Sequence, residues 1–375
     1  MSPSSPETGV HSERNAAWLG ICLGVAFGVC FLTGVLSHLI QHPPGWFTWP
    51  PRPAGLYRVT QGLHVATGIA AIPLLLVKLW TVFPKLFRWP PFDDAAHALE
   101  RVSLLPLIGG AVFLLMSGTQ NIFHWYPWHF FFPVAHWWAA WITIGALIVH
   151  IGAKATQARR AISGPAPEGR APEATPDGSL SRRAVLRLAF GGAGLLTLVT
   201  LGETFGPLRH LDLLGPRRPD IGPQGLPVNR SAEEAGIVAA ANDPAYRLVV
   251  EGGRDGPLSM SVADLRALGL HTAVLPIACV EGWSGLAVWR GVRVRDLLAH
   301  AGRPGAGVSV GSLETSGIYT ASSLTPAQAA DPDTLLALEV NGAPLHIQHG
   351  YPVRLIGPNR PGVQQTKWVG NVVLS

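Results

Sequence analysis

Charge is what this sequence has least of: Asp, Glu, Lys and Arg make up 14% of its 375 residues, against about 25% in an average soluble protein. Hydrophobic residues reach 48%, which argues against a wholly soluble or disordered chain. Cysteine is scarce too, with three in all. Cys22 and Cys30 sit inside an apolar run and read as small buried hydrophobes. Cys279 is alone in the C-terminal half, so no disulfide framework is possible there. Acidic residues are absent from the interior of the first four long apolar stretches, where a transporter with a histidine relay would need them along its path.

The net charge of +5 is unevenly divided. Residues 225–375 hold 11 Lys and Arg against 12 Asp and Glu, while residues 1–224 hold 17 against 11. The excess lies in short loops between apolar runs, the pattern of membrane orientation rather than of a nucleic-acid face. No nucleic-acid partner is expected.

Five apolar stretches are long enough to span a bilayer as helices, roughly Ala16–Ile40, Val59–Phe83, Val102–Phe123, Phe130–Ala153 and Ala184–Leu201. Trp46, Trp49, Trp80, Trp89, Trp125, Tyr126 and Trp128 crowd their ends as interfacial belts do. Lys85, Arg88 and Arg101 follow span two, and Lys154, Arg159, Arg160, Arg170, Arg182 and Arg183 follow span four. The positive-inside rule then places the N-terminus in the cytoplasm and the C-terminal half outside. A Pro/Gly/Ala-rich stretch from Gln157 to Gly178 reads as a cytoplasmic linker. It ends in Ser181-Arg182-Arg183-Ala184-Val185-Leu186-Arg187 before a Gly-rich apolar run, which resembles an internal twin-arginine export signal. Simple positive-inside anchoring is the alternative. The expected partners are the lipid bilayer and both the general and the twin-arginine insertion machineries, and the expected location is a bacterial plasma membrane.

Eight of the 14 histidines fall between residues 16 and 153, and ionisable groups inside a membrane mark function by default. His136 and His150 are fourteen residues apart, so they share a helix face at about 21 Å separation. His64 on span two lies at the depth of His136 on span four, so the two can clamp one haem near the outer face. His150 is a further possible ligand with no evident inner partner; Lys78 occupies the position fourteen after His64. His38 is the rival partner for His64 or His136. His42, His124 and His129 read as interfacial, and His97 and His11 as surface residues. The four spans resemble the cytochrome b subunits of membrane formate dehydrogenases and hydrogenases, which implies haem b and exchange of electrons with the quinone or quinol pool.

Beyond residue 225 short apolar runs alternate with Gly, Pro and Asp. Strands are expected at Tyr246–Val250, Thr272–Ala278, Val308–Val310, Leu338–Val340, Val353–Ile356 and Lys367–Leu374, with helices at Val262–Leu268, capped by Ser261, and Val294–Ala301. Cys279 ends an apolar strand. Taken alone it reads as a buried inert thiol, although a strand-end thiolate can also serve a soft metal. The runs Cys279-Val280-Glu281-Gly282-Trp283-Ser284, Trp289-Arg290-Gly291-Val292, Asn341-Gly342-Ala343-Pro344-Leu345, His349-Gly350-Tyr351-Pro352-Val353-Arg354, Pro358-Asn359-Arg360-Pro361-Gly362 and Lys367-Trp368-Val369-Gly370 resemble the sulfite-oxidase-like molybdopterin domain. The first is nearer to the periplasmic methionine-sulfoxide reductase branch, which tilts the expected direction toward reduction.

That resemblance implies an α+β domain in which Cys279 is the molybdenum ligand and Tyr319 faces the reaction pocket. It further implies that His349, Arg354 and Lys367 hold the pterin and its phosphate, with Asn229 and Arg230 at the entrance. The expected organisation is a four-helix cytochrome b-like membrane domain (1–155), a linker (156–182), a fifth spanning helix with the export signal (183–203), a tether (204–224) and a molybdopterin-binding oxidoreductase domain (225–375). The expected fold is thus an all-α membrane bundle of four plus one helices joined to an extracytoplasmic α+β domain. The expected activity is molybdenum-dependent oxygen-atom transfer on a small substrate. The alternative is a non-catalytic binding module of the same fold. The arginine-rich pocket that sulfite would require is not identifiable, since Arg290, Arg293 and Arg295 each suit structural roles.

Overall fold

The structure, a computed structural model, describes residues 13–87, 89, 95–163 and 181–375. The expectations at His11, Arg88, Arg170 and most of the linker lie outside the described residues, as do the side chains of His97 and Arg182. Five long helices are present: α1 (Glu13–Gln41), α2 (Leu56–Leu86), α3 (Ala95–Phe123), α4 (Phe132–Ser163) and α5 (Arg182–Leu201). All five contain stretches long and apolar enough to cross a membrane. Helices α1 to α4 run past the apolar stretches because the polar residues at their ends keep helical backbone bonds satisfied. Ser181 caps α5, its Oγ accepting from the amide of Ala184 at 3.2 Å.

The chain divides into two compact units. The first comprises Met1–Gly34 and Leu63–Thr200. Its core joins Leu19, Leu23 and Ala26 of α1 to Ala71, Leu74 and Val77 of α2, Ala111 of α3 and Val185, Ala189 and Ala193 of α5. Helices α3 and α4 approach closely at Gly110, where a Cβ would meet the Thr143 hydroxyl at 2.1 Å, the small-residue contact common between membrane helices. Large apolar side chains such as Leu32, Leu105 and Ile148 stay more than 60% exposed, a surface suited to lipid rather than water.

The second unit comprises Val35–Gly62 and Leu201–Ser375, so the end of α1, the start of α2 and the loop between them fold with the C-terminal half. After a short α6 (Val238–Ala241) come β1 (Leu248–Glu251), β2 (Leu258–Met260), α7 (Val262–Ala267), β3 (His271–Ala278), β4 (Ser284–Arg293) and α8 (Val294–His300). Next are β5 (Val308–Ser312), β6 (Ala321–Leu324), α9 (Pro326–Ala330), β7 (Leu335–Val340), β8 (Ala343–Pro344), β9 (Arg354–Ile356) and β10 (Val369–Leu374). One sheet has the order β2-β1-β10-β5-β6; the other runs β3-β4-β7-β8, with β9 also paired to β7. Leu248, Val250, Val310 and Val372 of the first sheet share a core with Leu297 and Leu298 of α8 and with Leu336 and Leu355 of the second. Ser261 forms a full capping box with Asp264 at α7.

Strand β4, with ten residues, is absent from the sequence-based expectations. Gly285 and Gly291 interrupt its apolar alternation, and each has a packing reason. A Cβ on Gly291 would lie 2.2 Å from the Leu336 carbonyl, and one on Gly285 would lie 2.9 Å from the Leu226 side chain. Glycine admits close backbone approach there and hides the strand period. The Gly206–Gly225 stretch carries two 3-10 turns, Gly206–Leu211 and Pro223–Gly225. Gln224 bonds its Nε2 to the Pro344 carbonyl at 2.9 Å, and Leu226, two residues on, is buried.

Candidate cofactor sites

Strand β3 delivers Cys279 to its end because Leu275, Ile277 and Ala278 are buried and draw the strand into the core. The following turn is closed by Cys279 N–H donating to the Trp283 carbonyl at 2.9 Å and Gly282 N–H donating to the Cys279 carbonyl at 3.2 Å. Gly282 takes φ 108°, a conformation that favours glycine. Gly362 packs against the other side, its notional Cβ 3.6 Å from Cys279 Cα. The thiol is 1% exposed. Burial, reinforced by the negative charge of Glu281, pushes it well above its ordinary range. Asn229 places its amide nitrogen 3.9 Å from Sγ.

Two cations share this region, Arg354 buried and Lys367 half-buried. Arg354, 5% exposed, begins β9, donates from Nη1 to the His349 carbonyl at 3.2 Å and lies 5.5 Å over the Trp289 ring. Its buried Nε has no hydrogen-bond acceptor. Burial lowers its pKa to about 10, while the charge of a Cys279 thiolate acts to raise it. Lys367 donates from Nζ to the carbonyls of Arg230 at 2.7 Å and Gln348 at 3.1 Å. Burial, aided by the neighbouring Arg354 charge, depresses it to about 7. Gly350 fits between the two, where a Cβ would lie 3.1 Å from Arg354 Cβ and 3.2 Å from Lys367 Cα. Among the described residues no carboxylate forms an ion pair with either cation. Glu314 acts on Lys367 without pairing with it, and desolvated cations lacking a direct ion pair are costly, so the two suit an anionic ligand such as a phosphate, to which a guanidinium offers a planar fork. His349 is 2% exposed and shares a 2.6 Å hydrogen bond with the Pro223 carbonyl through Nε2. Burial, then the Arg354 charge, lowers its pKa to about 4, so it is neutral at physiological pH. Arg230 is paired with Glu314 at 2.5 Å and keeps a buried Nε without an acceptor.

The other flank of Cys279 is acidic, a feature that sequence inspection missed because its members are far apart in the chain. Glu281 is 6% exposed, pairs with Arg217 at 3.4 Å and accepts from Trp283 Nε1 at 3.3 Å. Glu203 is 2% exposed, and its Oε1 has no donor. Burial, with Asp212 and Glu281 as further negative neighbours, raises it to about 9. Tyr319 is 41% exposed; partial burial and the charges of Cys279 and Glu281 raise its pKa. Arg290 is engaged by Glu339 at 3.2 Å, Arg293 by Asp296 at 2.6 Å and Arg295 by Asp296 at 3.8 Å. The structure thus gathers Cys279, Asn229, Arg230, Tyr319, His349, Arg354 and Lys367 into one unit and leaves the three arginines of the 290s in structural pairs.

In the first unit, α2 and α4 bring His64 and His136 together with ring centres 6.4 Å apart. His64 Nδ1 is 2.9 Å from the Cys30 carbonyl and 3.2 Å from the Thr33 hydroxyl. The carbonyl can only accept, so the ring proton resides on Nδ1 and the Nε2 lone pair is available. Ser117 Oγ stands 3.1 Å from His136 Nδ1 and 3.3 Å from the Leu114 carbonyl, so it can accept from Nδ1 while donating to that carbonyl. Hydrogen-bonded Nδ1 with a basic Nε2 is the usual state of a metal-ligating imidazole. Two metal–nitrogen bonds of about 2.0–2.1 Å, with about 1.1 Å from each nitrogen to its ring centre, account for about 6.3 Å. Gly34 lies under the His64 ring, where a Cβ would come within 3.1 Å of Cε1. The observed ring-centre separation of 6.4 Å matches that sum. His150 lies fourteen residues further along α4, and the structure pairs His136, not His150, with His64. His38, the alternative partner, stacks on His42 at 4.7 Å.

Comparison with known proteins bears on the C-terminal half. Residues 235–375 match the family described as oxidoreductase molybdopterin binding domain. Mitochondrial sulfite oxidase of Rattus norvegicus is 35% identical over 155 residues, covering 34% of this chain and 28% of the relative. Nitrate reductase (NAD(P)H) of Hordeum vulgare is 39% identical over 98 residues, covering 24% of this chain and 11% of the relative. Among solved structures, the sulfane dehydrogenase SoxCD from Paracoccus pantotrophus matches at 24% identity and a TM-score of 0.33, covering 41% of this chain and 43% of that one. The chain thus spans about 28% of the length of the sulfite oxidase it matches. Its C-terminal part matches a molybdopterin-binding oxidoreductase domain and is similar to sulfite oxidase.

Proposed function

We propose that this protein is a membrane-bound oxidoreductase that passes electrons between molybdenum on Cys279 and haem b on His64 and His136, and thence to or from the membrane quinone pool. The observation that carries the molybdenum half is the pair Arg354, buried, and Lys367, half-buried, neither in a direct ion pair among the described residues, beside a buried thiol. When bound, molybdopterin supplies two-electron oxygen-atom transfer and haem supplies one-electron transfer. Cys279 would hold the metal as thiolate, a form that burial disfavours until cations compensate it. Arg354 and Lys367 would bind the pterin phosphate, with His349 as a neutral hydrogen-bonding neighbour and Asn229 and Arg230 at the edge. Tyr319, half-exposed and close to Cys279, would meet the substrate.

The charge balance favours a neutral substrate. Glu281 and Glu203 lie near Cys279, while Arg290, Arg293 and Arg295 are committed to carboxylates. Among the described residues, no arginine outside those pairs and the proposed pterin-phosphate cations is set aside for an oxyanion such as sulfite, whereas a sulfoxide would need none. Glu203 holds a proton on its carboxyl at neutral pH, consistent with a reaction that consumes protons. Reduction of a small sulfoxide-type substrate by quinol is therefore the preferred direction. The positive-inside pattern favours a multi-pass protein of a bacterial plasma membrane, with the N-terminus cytoplasmic and the C-terminal domain outside. The twin-arginine-like run would export that domain, and the general insertion machinery would place the first four helices.

Metal content tests this assignment. Purified full-length protein is expected to carry about one molybdenum and one iron per chain. Cys279→Ser should remove the molybdenum selectively, and His136→Ala the iron. A correctly folded, exported protein from a molybdenum-replete host that holds neither metal would sink the proposal.

A further inference from the structure

The second unit contains a piece of the N-terminal helices, and that piece reaches the turn that bears Cys279. Asn359, 2% exposed and in a left-handed conformation at φ 56°, anchors the α1–α2 loop. Its Nδ2 donates to the Pro50 carbonyl at 2.7 Å, its Oδ1 accepts from Tyr57 N–H at 2.7 Å, and its carbonyl accepts from Trp49 Nε1 at 2.9 Å. Arg52 forks onto Asp331 with two bonds of 2.9 Å. Gln364 donates from Nε2 to the Ile40 carbonyl at 2.9 Å. These contacts hold a short polar chain in register. Tyr57, 1% exposed, packs with Ile40 against Ala278, the residue before Cys279. Gln61, 7% exposed, donates from Nε2 to the Val280 carbonyl at 3.1 Å.

The direction of this chain follows from its donors. Ser37 Oγ donates to Gln61 Oε1 at 3.3 Å, so its proton is committed. At 3.2 Å from Tyr57 OH it can then only accept, and Gln41 Nε2 donates to it as well at 3.1 Å. The dipoles therefore run from Tyr57 O–H through Ser37 and the Gln61 amide to the Val280 carbonyl. Hydrogen bonds aligned in this way in a buried setting strengthen one another. The turn is thus closed from one side by its own bonds to Trp283 and gripped from the other by α2.

We propose that Gln61, oriented by Ser37 and Tyr57, is a positioning residue for the metal ligand: it fixes the Cys279–Val280 turn and so sets the potential of a metal on that thiolate. This rests on the assignment of molybdenum to Cys279. Hydrogen bonding and fixed dipoles around a ligating sulfur are established means of tuning a metal centre. The N-terminal helices are then part of the cofactor site rather than only its anchor.

The test uses full-length protein purified with its cofactors, as parent, Gln61→Leu, Gln61→Asn and Tyr57→Phe. Molybdenum per chain is measured first, then the molybdenum midpoint potential by EPR-monitored titration. Backbone hydrogen exchange of residues 279–284 is followed separately in metal-free full-length protein. Gln61→Leu is expected to keep its molybdenum, to change the molybdenum redox equilibrium about tenfold (59 mV for a one-electron couple) and to lower kcat more than it raises KM. Its turn should exchange at least tenfold faster in the metal-free state. Tyr57→Phe should shift the potential in the same direction by less. Parental potential and parental exchange in variants that retain molybdenum would overturn the proposal. If Gln61→Leu fails to fold, Gln61→Asn and Tyr57→Phe decide alone, and parental values in both overturn it. A parent protein without molybdenum would instead defeat the assignment of the metal to Cys279, and the exchange measurement would still report whether Gln61 holds the turn.

Discussion

At Cys279 the chain buries groups that carry charge in water, whereas at His64 and His136 it buries rings that can stay neutral. The first site stores unfavourable desolvation in Arg354 and Lys367, which an anionic cofactor would relieve. The second site satisfies itself beforehand, because the Cys30 carbonyl and the Thr33 and Ser117 hydroxyls give each Nδ1 a hydrogen-bond partner. A buried site can therefore be prepared by strain awaiting a ligand or by prior hydrogen bonding. The two should respond differently when a single residue is removed.

The largest effect should follow loss of a ligand. Cys279→Ser should reduce molybdenum from about one per chain to a trace while leaving the haem absorption intact, read by elemental analysis and the Soret band. His64→Ala or His136→Ala should abolish that band and leave molybdenum unchanged. Cross-loss of both metals in either variant, without misfolding, would erase the contrast between the sites.

Next in size is a change of sign that only the strained site should show. Lys367→Met should weaken retention of the pterin cofactor at least tenfold yet stabilise the metal-free protein, because it deletes a desolvated charge that no carboxylate pairs with directly. Thermal unfolding of the metal-free and loaded forms, compared side by side, would reveal the crossing. Destabilisation of both forms would show that Lys367 is held mainly by its carbonyl partners.

A pH effect follows from Glu203. Its pKa is raised to about 9, so between its unfolded value and that point the folded chain binds more protons than the unfolded one. Stability then falls as pH rises through this window. Glu203→Gln should match the parent near pH 4.5 and become progressively more stable than it toward pH 8, by at most about 5 kcal/mol. Melting temperatures at pH 5 and pH 8 check this; an equal gap at both would show that Glu203 is not protonated in the fold.

The smallest effect should be at the pre-satisfied site. Ser117→Ala removes a neighbour of His136 without removing a ligand, so haem content should be unchanged and the haem potential should move by less than the molybdenum potential moves in Gln61→Leu. Spectroelectrochemistry on the two variants makes the comparison directly.

Much of this was legible in the sequence for particular reasons. Long runs without acid or base announce helices that cross a membrane, and the Cys279, Arg354 and Lys367 motifs are local strings that survive being read one at a time. Strand β4 was not legible, because Gly285 and Gly291 serve close backbone approach rather than alternation. Nor was the flank of Glu203 and Glu281, which meet each other and Arg217 only after the chain returns on itself. The Nδ1 partners of His64 and His136 include Cys30 and Ser117, which carry no signal of their own.

The sequence by itself determined the two kinds of region, the spanning helices and the molybdopterin-type domain, because hydrophobic length and short motifs are properties of contiguous residues. Only the tertiary structure decided that residues 35–62 fold with the C-terminal half. It alone brought Gln61 to the Val280 carbonyl, more than two hundred positions away in the chain. Those outcomes turn on directional hydrogen bonds between distant residues, which appear only once hydrophobic burial has fixed where each backbone lies.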